Sequence, residues 1–152
     1  MSNGTSVKKR NGSIEPLNLE KIHNMCEEAC EGLAGVSASQ VEIQSGIQFY
    51  DGITTAEIQE ILIRSASDLI TLDNPNYQYV ASRLLLFSVR KSLYGRLREL
   101  PTLENHIVSC VSQEVYDPDI YDKYSLEEIR KADSFIDHGL SLIHISEPTR
   151  PY

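Results

Sequence analysis

Between Asn18 and Gly95, apolar residues recur at helical spacing in four stretches, each bracketed by capping or breaking residues. This pattern limits the fold more than any other, because a strand alternates its side chains and cannot gather a 3.6-residue period on one face. Asn18 suits an N-cap, and Leu19, Ile22, Met25, Cys26, Ala29, Cys30 and Leu33 form the first stripe. Gly32 and Gly35 punctuate its end. Ser37-Ala38-Ser39-Gln40 reads as the capping box of a second, shorter helix, which turns Val41 and Ile47 inward and ends near Phe49. Thr54-Thr55-Ala56-Glu57 opens a third helix, continued by Ile58, Ile61, Leu62, Ser65 and Leu69. Asp73-Asn74-Pro75 stops it and starts a fourth, with Pro75 at the first helical position. Val80, Leu84, Phe87 and Lys91 share one face of that helix, and Gly95 closes it.

Upstream the period changes to two. Thr5, Val7 and Lys9 alternate with Ser6, Lys8 and Arg10, and Asn11-Gly12 is the strongest short hairpin-turn signal. Ile14 and Leu17 return toward the core, and Tyr50-Asp51-Gly52-Ile53 predicts a turn with one more short strand. Residues 1–95 therefore read as one mainly α domain, a four-helix bundle capped by a short hairpin or three-stranded sheet. Residues 96–138 are sparser in apolar side chains. Leu100-Pro101 breaks the chain, a helix spans 103–113, Asp117-Pro118 turns, and Ser125-Leu126-Glu127-Glu128 is another capping box. This part reads as the incomplete start of a second helical domain. The stretch GLSLIHISEPTRPY, residues 139–152, fits neither period and resembles a translated sequencing-adapter read-through, so it is set aside from the fold.

The chain of 152 residues carries a net charge of -8, which argues against general nucleic-acid affinity. The basic residues near the start are then a local feature, better matched to a small polyanion than to a long one. Cys26, Cys30 and Cys110 form no C-x-x-C pair and are expected to be structural thiols. His23, His106, His138 and His144 lack metal-ligand spacing, so no metal site is expected. The first ten residues lack the apolar region of a signal peptide, and no apolar run reaches membrane-spanning length. A cytoplasmic location without membrane contact is expected.

Several residues bear on chemistry. Lys9 and Arg10 lie at the end of the first strand, Lys21 in the first turn of the first helix, Thr55 at the start of the third and Lys91 in the last turn of the fourth. In an antiparallel bundle the start of the third helix and the end of the fourth meet at one end. Cations beside a helix N-terminus suit a triphosphate. Glu15 and Asn18 offer an acceptor and an amide for a purine edge, while Val7, Leu17 and Ile22 offer an apolar slot. Each also has a plain structural reading: a solvated turn for the cations, first-turn decoration for Glu15 and Lys21, a helix cap for Thr55. Neither G-x-x-x-x-G-K-S/T nor G-x-G-x-x-G is present, and no nucleophile–base arrangement stands out, so no catalytic residue is assigned.

Longer motifs sharpen this reading. VKKRNGSIEPLNLEKIH, IQFYDGITTAEIQEILIRSASDLI and NYQYVASRLLLFSVRKSLYG together resemble the ATP-cone. More closely, the chain from about Val7 to His138, including YSLEEIRKADSFIDH, resembles the N-terminus of the large subunit of bacterial class I ribonucleoside-diphosphate reductases. The resemblance implies an allosteric activity switch in an enzyme that makes deoxyribonucleotides: ATP favours the active form and dATP inhibits through a change of subunit assembly. It implies nucleotide contacts at Lys9, Glu15, Asn18, Lys21, Thr55 and Lys91, with Val7, Arg10, Leu17, Ile22 and Gln59 lining the site. The effector would come with Mg²⁺ and no covalent cofactor. The implied partners are further large subunits and a small radical-generating subunit. Relatives often carry histidine at the position of Gln59, whose amide can hydrogen-bond but cannot carry charge. The barrel and redox cysteines of such enzymes are not among these residues, so the chain by itself is expected to be inactive. The alternatives are a stand-alone ATP-cone regulator, which would carry a zinc ribbon with paired C-x-x-C motifs, and a helical interaction domain without a ligand.

Overall fold

The Asn11-Gly12 signal produces a hairpin, but with a wider tip than a two-residue turn. In the computed structural model, which describes residues 5–95 and 100–136, β1 (Ser6–Lys8) and β2 (Ile14–Pro16) pair antiparallel. The tip is Arg10-Asn11-Gly12: Gly12 N–H donates to the Lys9 carbonyl at 2.9 Å, and Lys9 N–H to the Ser13 carbonyl at 2.8 Å. Gly12 takes φ +85°, the left-handed conformation that completes a three-residue hairpin loop. The Asn11 side chain accepts from the Ser13 N–H at 3.1 Å and holds the tip.

The helices follow the capping signals closely. Helix α1 (Leu19–Cys30) starts at the N-cap Asn18, whose side-chain Oδ1 accepts from the Lys21 N–H at 3.0 Å. It buries Ile22, Cys26 and Ala29, whereas Leu19, expected inside, is 66% exposed at the first helical position. Helix α2 (Ala38–Gly46) corrects two expectations. Ser37 is its N-cap but makes no side-chain cap bond, and the Gln40 side chain accepts from the Tyr77 hydroxyl instead of folding back to the Ser37 N–H. That hydroxyl also accepts from the Ser37 N–H at 3.0 Å. Val41 is buried as expected, but the helix ends before Ile47, which is 83% exposed.

Strand β3 (Ile53–Thr54) leads directly into α3 (Thr55–Asp68), where the expected capping box forms in full. Helix α4 (Tyr77–Tyr94) begins two residues later than Pro75, which instead opens the turn before it through the Gln78 N–H to the Pro75 carbonyl. Its inward face is Tyr77, Val80, Ala81, Arg83, Leu84 and Phe87. Arg83 crosses to the end of α1, where its Nη1 donates to the carbonyls of Ala29 at 3.1 Å and Glu31 at 2.6 Å. Those are orphan carbonyls of a helix C-terminus, so a charged side chain here does the work of a cap.

The described residues divide into two compact units, 5–89 and 90–136. The first is mainly helical around a three-stranded sheet of order β2-β1-β3. The second contains the end of α4 together with α5 (Leu103–Ser112), α6 (Ile120–Lys123) and α7 (Leu126–Asp133). Arg130 Nε and Nη2 clasp Glu104 at 2.7 and 3.0 Å, and Asp133 accepts from the Leu103 N–H at 2.8 Å. Ser125 and Glu128 form the capping box expected of α7. The reading of residues 139–152 as a read-through tail lies outside the described residues.

Cys26 is fully buried and Cys30 partly so, and burial pushes their thiols up to about 12 and about 11. Neutral, desolvated thiols are poor nucleophiles and poor metal ligands. Among the described residues no group of three or more His, Cys, Asp or Glu side chains is placed to hold a metal ion. No helix there is long and apolar enough to cross a membrane.

Candidate nucleotide site

The site begins with a strand pairing that crosses some 45 residues of sequence. β3 lies parallel to β1, with Val7 opposite Ile53 and Lys8 opposite Thr54. One residue further on, Lys9 leaves β1 and Thr55 begins α3, so the register brings the basic tip of the hairpin beside a helix N-terminus. Asp51 fixes this register. Its carboxylate accepts from the Ser6 N–H at 2.7 Å and the Ser6 hydroxyl at 2.6 Å, and the Gly52 N–H returns to the Ser6 carbonyl at 3.0 Å. Gly52 sits at φ +82°, where a side chain would be strained. These bonds hold the Asp51 carboxyl below its ordinary range, led by the Ser6 hydroxyl.

The cap of α3 is Thr54, not Thr55. Thr54 Oγ1 accepts from the Glu57 N–H at 3.2 Å, and the Glu57 carboxylate accepts from the Thr54 N–H at 2.8 Å and the Thr54 hydroxyl at 2.7 Å. Tyr50 donates to the other Glu57 oxygen at 2.9 Å. The box uses the N–H groups of Thr54 and Glu57, which leaves those of Thr55 and Ala56 at the helix head. Thr55 is thereby released from the capping role its sequence position suggests.

On the hairpin, Lys9 Nζ pairs with Glu15 Oε2 at 2.7 Å. The Lys9 hydrogen bond, and then the charges of Lys9 and Lys21, hold the Glu15 carboxyl below its ordinary value. Lys21 is therefore near enough to act on Glu15. The Asn18 carbonyl is committed to capping α1, while its amide N–H₂ is not part of that bond. Val7 and Ile22 are buried, Leu17 is half-buried with its N–H on the Thr5 carbonyl at 2.8 Å, and Arg10 occupies the turn.

Gln59 stands one turn into α3 from Thr55, on the same helix face. It is only 4% exposed, and both its Nε2 and Oε1 are buried without a hydrogen-bond partner. Buried amides are nearly always paired, so this one is an exception that needs a reason. Lys91 lies in the last turn of α4, within the second unit. Lys9, Glu15, Asn18, Lys21 and Thr55 are thus gathered around the sheet and the two helix starts it feeds. Asp51, Tyr50 and Glu57 were read from sequence only as turn and capping residues, yet they set the sheet register and the head of α3. The Tyr-Asp-Gly turn and the Thr54–Glu57 spacing were their local signals.

A family model described as the ATP cone domain matches residues 5–92, which takes in every element from β1 to most of α4. The chain is 49% identical over 138 residues to ribonucleoside-diphosphate reductase 1 subunit alpha of Escherichia coli, covering 91% of this chain and 18% of that protein. The ribonucleoside-diphosphate reductase subunit alpha of Haemophilus influenzae is 47% identical over the same coverage. That of Enterobacteria phage T4 is 38% identical over 135 residues, covering 88% of this chain and 17% of the phage protein. The chain thus spans under a fifth of the length of these relatives. With the family match covering more than half of its residues, the chain belongs to the ATP-cone domain family.

Proposed function

We propose that this chain is the allosteric control module of a ribonucleoside-diphosphate reductase large subunit, switched by ATP and dATP. The observation that carries the reading is the parallel pairing of β1 with β3, which sets Lys9 beside the head of α3. Lys9 and Thr55 are the phosphate contacts, with the Thr55 and Ala56 N–H groups contributing the positive end of the helix. Glu15 and Asn18 read the purine, the carboxylate accepting from the exocyclic amine. Lys21 adds positive charge beside them, and Val7, Arg10, Leu17, Ile22 and Gln59 line the site. Mg²⁺ enters on the triphosphate.

The Lys9–Glu15 pair suggests how the site is kept ready for a nucleotide. Both side chains are substantially exposed, at 37% and 48%, so their attraction is screened and easily exchanged. A triphosphate draws Lys9 away into stronger charge-assisted bonds, and the freed carboxylate is then available to the base. Allostery further requires two states with different contacts. In the parent enzyme these are assemblies of large subunits with the small radical-generating subunit. Residues 1–95 form the effector domain and 96–138 begin the helical domain that follows it. The parent reduces ribonucleotides to deoxyribonucleotides in the cytoplasm, while this chain alone does not.

Calorimetric titration of the chain with ATP and then dATP, in the presence of Mg²⁺, tests the reading. Binding that is lost in Lys9→Ala and in Thr55→Ala is the expected result. A ligand at a hundred times its Kd also adds about 2.7 kcal/mol of stability. Failure of the folded chain to bind either nucleotide would overturn it. Reduction of a ribonucleoside diphosphate by this chain with a small subunit would overturn the claim of inactivity.

A further inference from the structure

Helix α5 ends in a way that assembles a nucleophile and a base in the second unit. Its last carbonyls are closed by a Schellman motif: the Val115 N–H returns to the Cys110 carbonyl at 2.8 Å and the Glu114 N–H to the Val111 carbonyl at 3.0 Å, with Glu114 left-handed at φ +58°. This turn brings Tyr116 back onto α5, where its ring meets His106 edge-on with centroids 6.0 Å apart. Tyr94, at the end of α4, makes the same kind of contact at 6.5 Å. Two tyrosine rings therefore fix the plane of the imidazole. The helix sets Cys110 one turn after His106, and Cys110 Sγ lies 3.5 Å from His106 Nε2. With the imidazole protonated at Nδ1, the thiol donates to Nε2.

A thiol becomes a nucleophile when it loses its proton, and the geometry that activates it is a base in contact with the sulfur and a further group that orients the base. His106 and the two tyrosines supply both parts. Cys110 is only partly buried, so a small reagent can reach it. Cys26 and Cys30 differ in kind, since burial holds their thiols neutral. We propose that Cys110 is a thiol-modification site that reacts with small disulfides, with His106 as its proton acceptor. The thiol proton passes to His106 Nε2, and the sulfur attacks one sulfur of the disulfide. That S–S bond breaks as the new one forms, and the departing thiolate takes the proton back from the imidazolium. Cys110 is oxidised to a mixed disulfide, and half of the small disulfide leaves reduced, as a free thiol. Cys110 is then not the structural thiol expected from sequence. The inference is independent of the nucleotide site.

The full chain is treated with glutathione disulfide at neutral pH, folded and unfolded in urea, and the adducts are followed by peptide mass mapping. Cys110 is expected to react faster in the folded chain than in the unfolded one, whereas Cys26 and Cys30 react only after unfolding. His106→Phe keeps a ring against the tyrosines and removes the base, and it should slow folded Cys110 by roughly tenfold. His106→Gln, polar but not basic, gives the same loss and serves should the phenylalanine form fail to fold. A Cys110 rate no faster in the folded chain than in the unfolded one would show an ordinary exposed thiol and overturn the proposal. So would a rate unchanged or raised in the His106 variants, since the thiol would then work without the imidazole.

Discussion

The two units are built with the same local devices and differ in what they bury. Each has a helix opened by a complete capping box, Thr54 with Glu57 in the first and Ser125 with Glu128 in the second. In each, the box hydrogen bonds hold the glutamate carboxyl below its ordinary value. Yet among the described residues sixteen apolar side chains are buried, fourteen of them in the first unit and two, Ile107 and Ile129, in the second, so local signals alone do not make a stable domain. Most helical stability comes from burying a face, and the second unit has little to bury it against. It exposes Val115, Tyr124 and Phe135 instead.

The largest expected break in this comparison is Leu62→Ala. Leu62 is fully buried on α3, so the cavity costs the first unit about 3 kcal/mol, measured as a shift of its urea midpoint. Amide hydrogen exchange sharpens the contrast: α5 and α7 exchange faster than α1 and α3, because opening them exposes less apolar surface. Equal protection in the two units would remove the distinction.

Next comes Arg83→Leu. It removes the donors to the Ala29 and Glu31 carbonyls and leaves the end of α1 open, at a cost of about 2 kcal/mol read from thermal melting. The matched pair Thr54→Ala and Ser125→Ala compares the boxes directly. Each costs about 1 kcal/mol locally. The first lowers the melting point of the main unfolding transition, and the second is seen in the exchange of α7 alone. If Ser125→Ala moved the main transition as much as Thr54→Ala, the units would be folding as one.

The smallest effect is a pH dependence. His23 on α1 contacts Glu42 on α2 at 2.8 Å and Glu27 one turn along α1 at 3.2 Å. The hydrogen bond to Glu42, and then the charge of Glu27, raise its pKa above the ordinary 6.5. The folded state therefore binds the proton more tightly than the unfolded chain. The stability this gives is complete below pH 6.5 and is lost as pH rises through the folded value. The first unit should weaken slightly on going from about pH 6 to pH 8, and His23→Gln should flatten that slope.

Much of the fold was legible because its causes are local. Asn18, Thr54 and Ser125 are followed by residues that can close a cap, and the stripes of α1, α3 and α4 follow from a period the backbone imposes. Where a distant residue intervened, the local reading failed. Ser37 and Gln40 have the spacing of a capping box, but Tyr77, 37 residues beyond Gln40, takes the glutamine. Gly46 was the local signal that α2 stops before Ile47 and leaves it outside, and the expected helix ran past it.

The same division runs through the site. Its residue types, two lysines, a carboxylate, an amide and a threonine at a helix start, were legible as the chemistry of a small polyanion site. Their assembly was not, because the parallel register of β1 on β3 depends on Asp51 reaching Ser6 across 45 positions. Sequence by itself determined that these helices and the hairpin form, and the caps at Asn18, Thr54 and Ser125, since these depend on side chains within a turn of one another. Only the tertiary structure decided which strand meets which helix head, and that Gln59 would be buried with its amide unpaired. Both are settled by long-range packing, in which the desolvation of one residue is imposed by elements far from it in the chain.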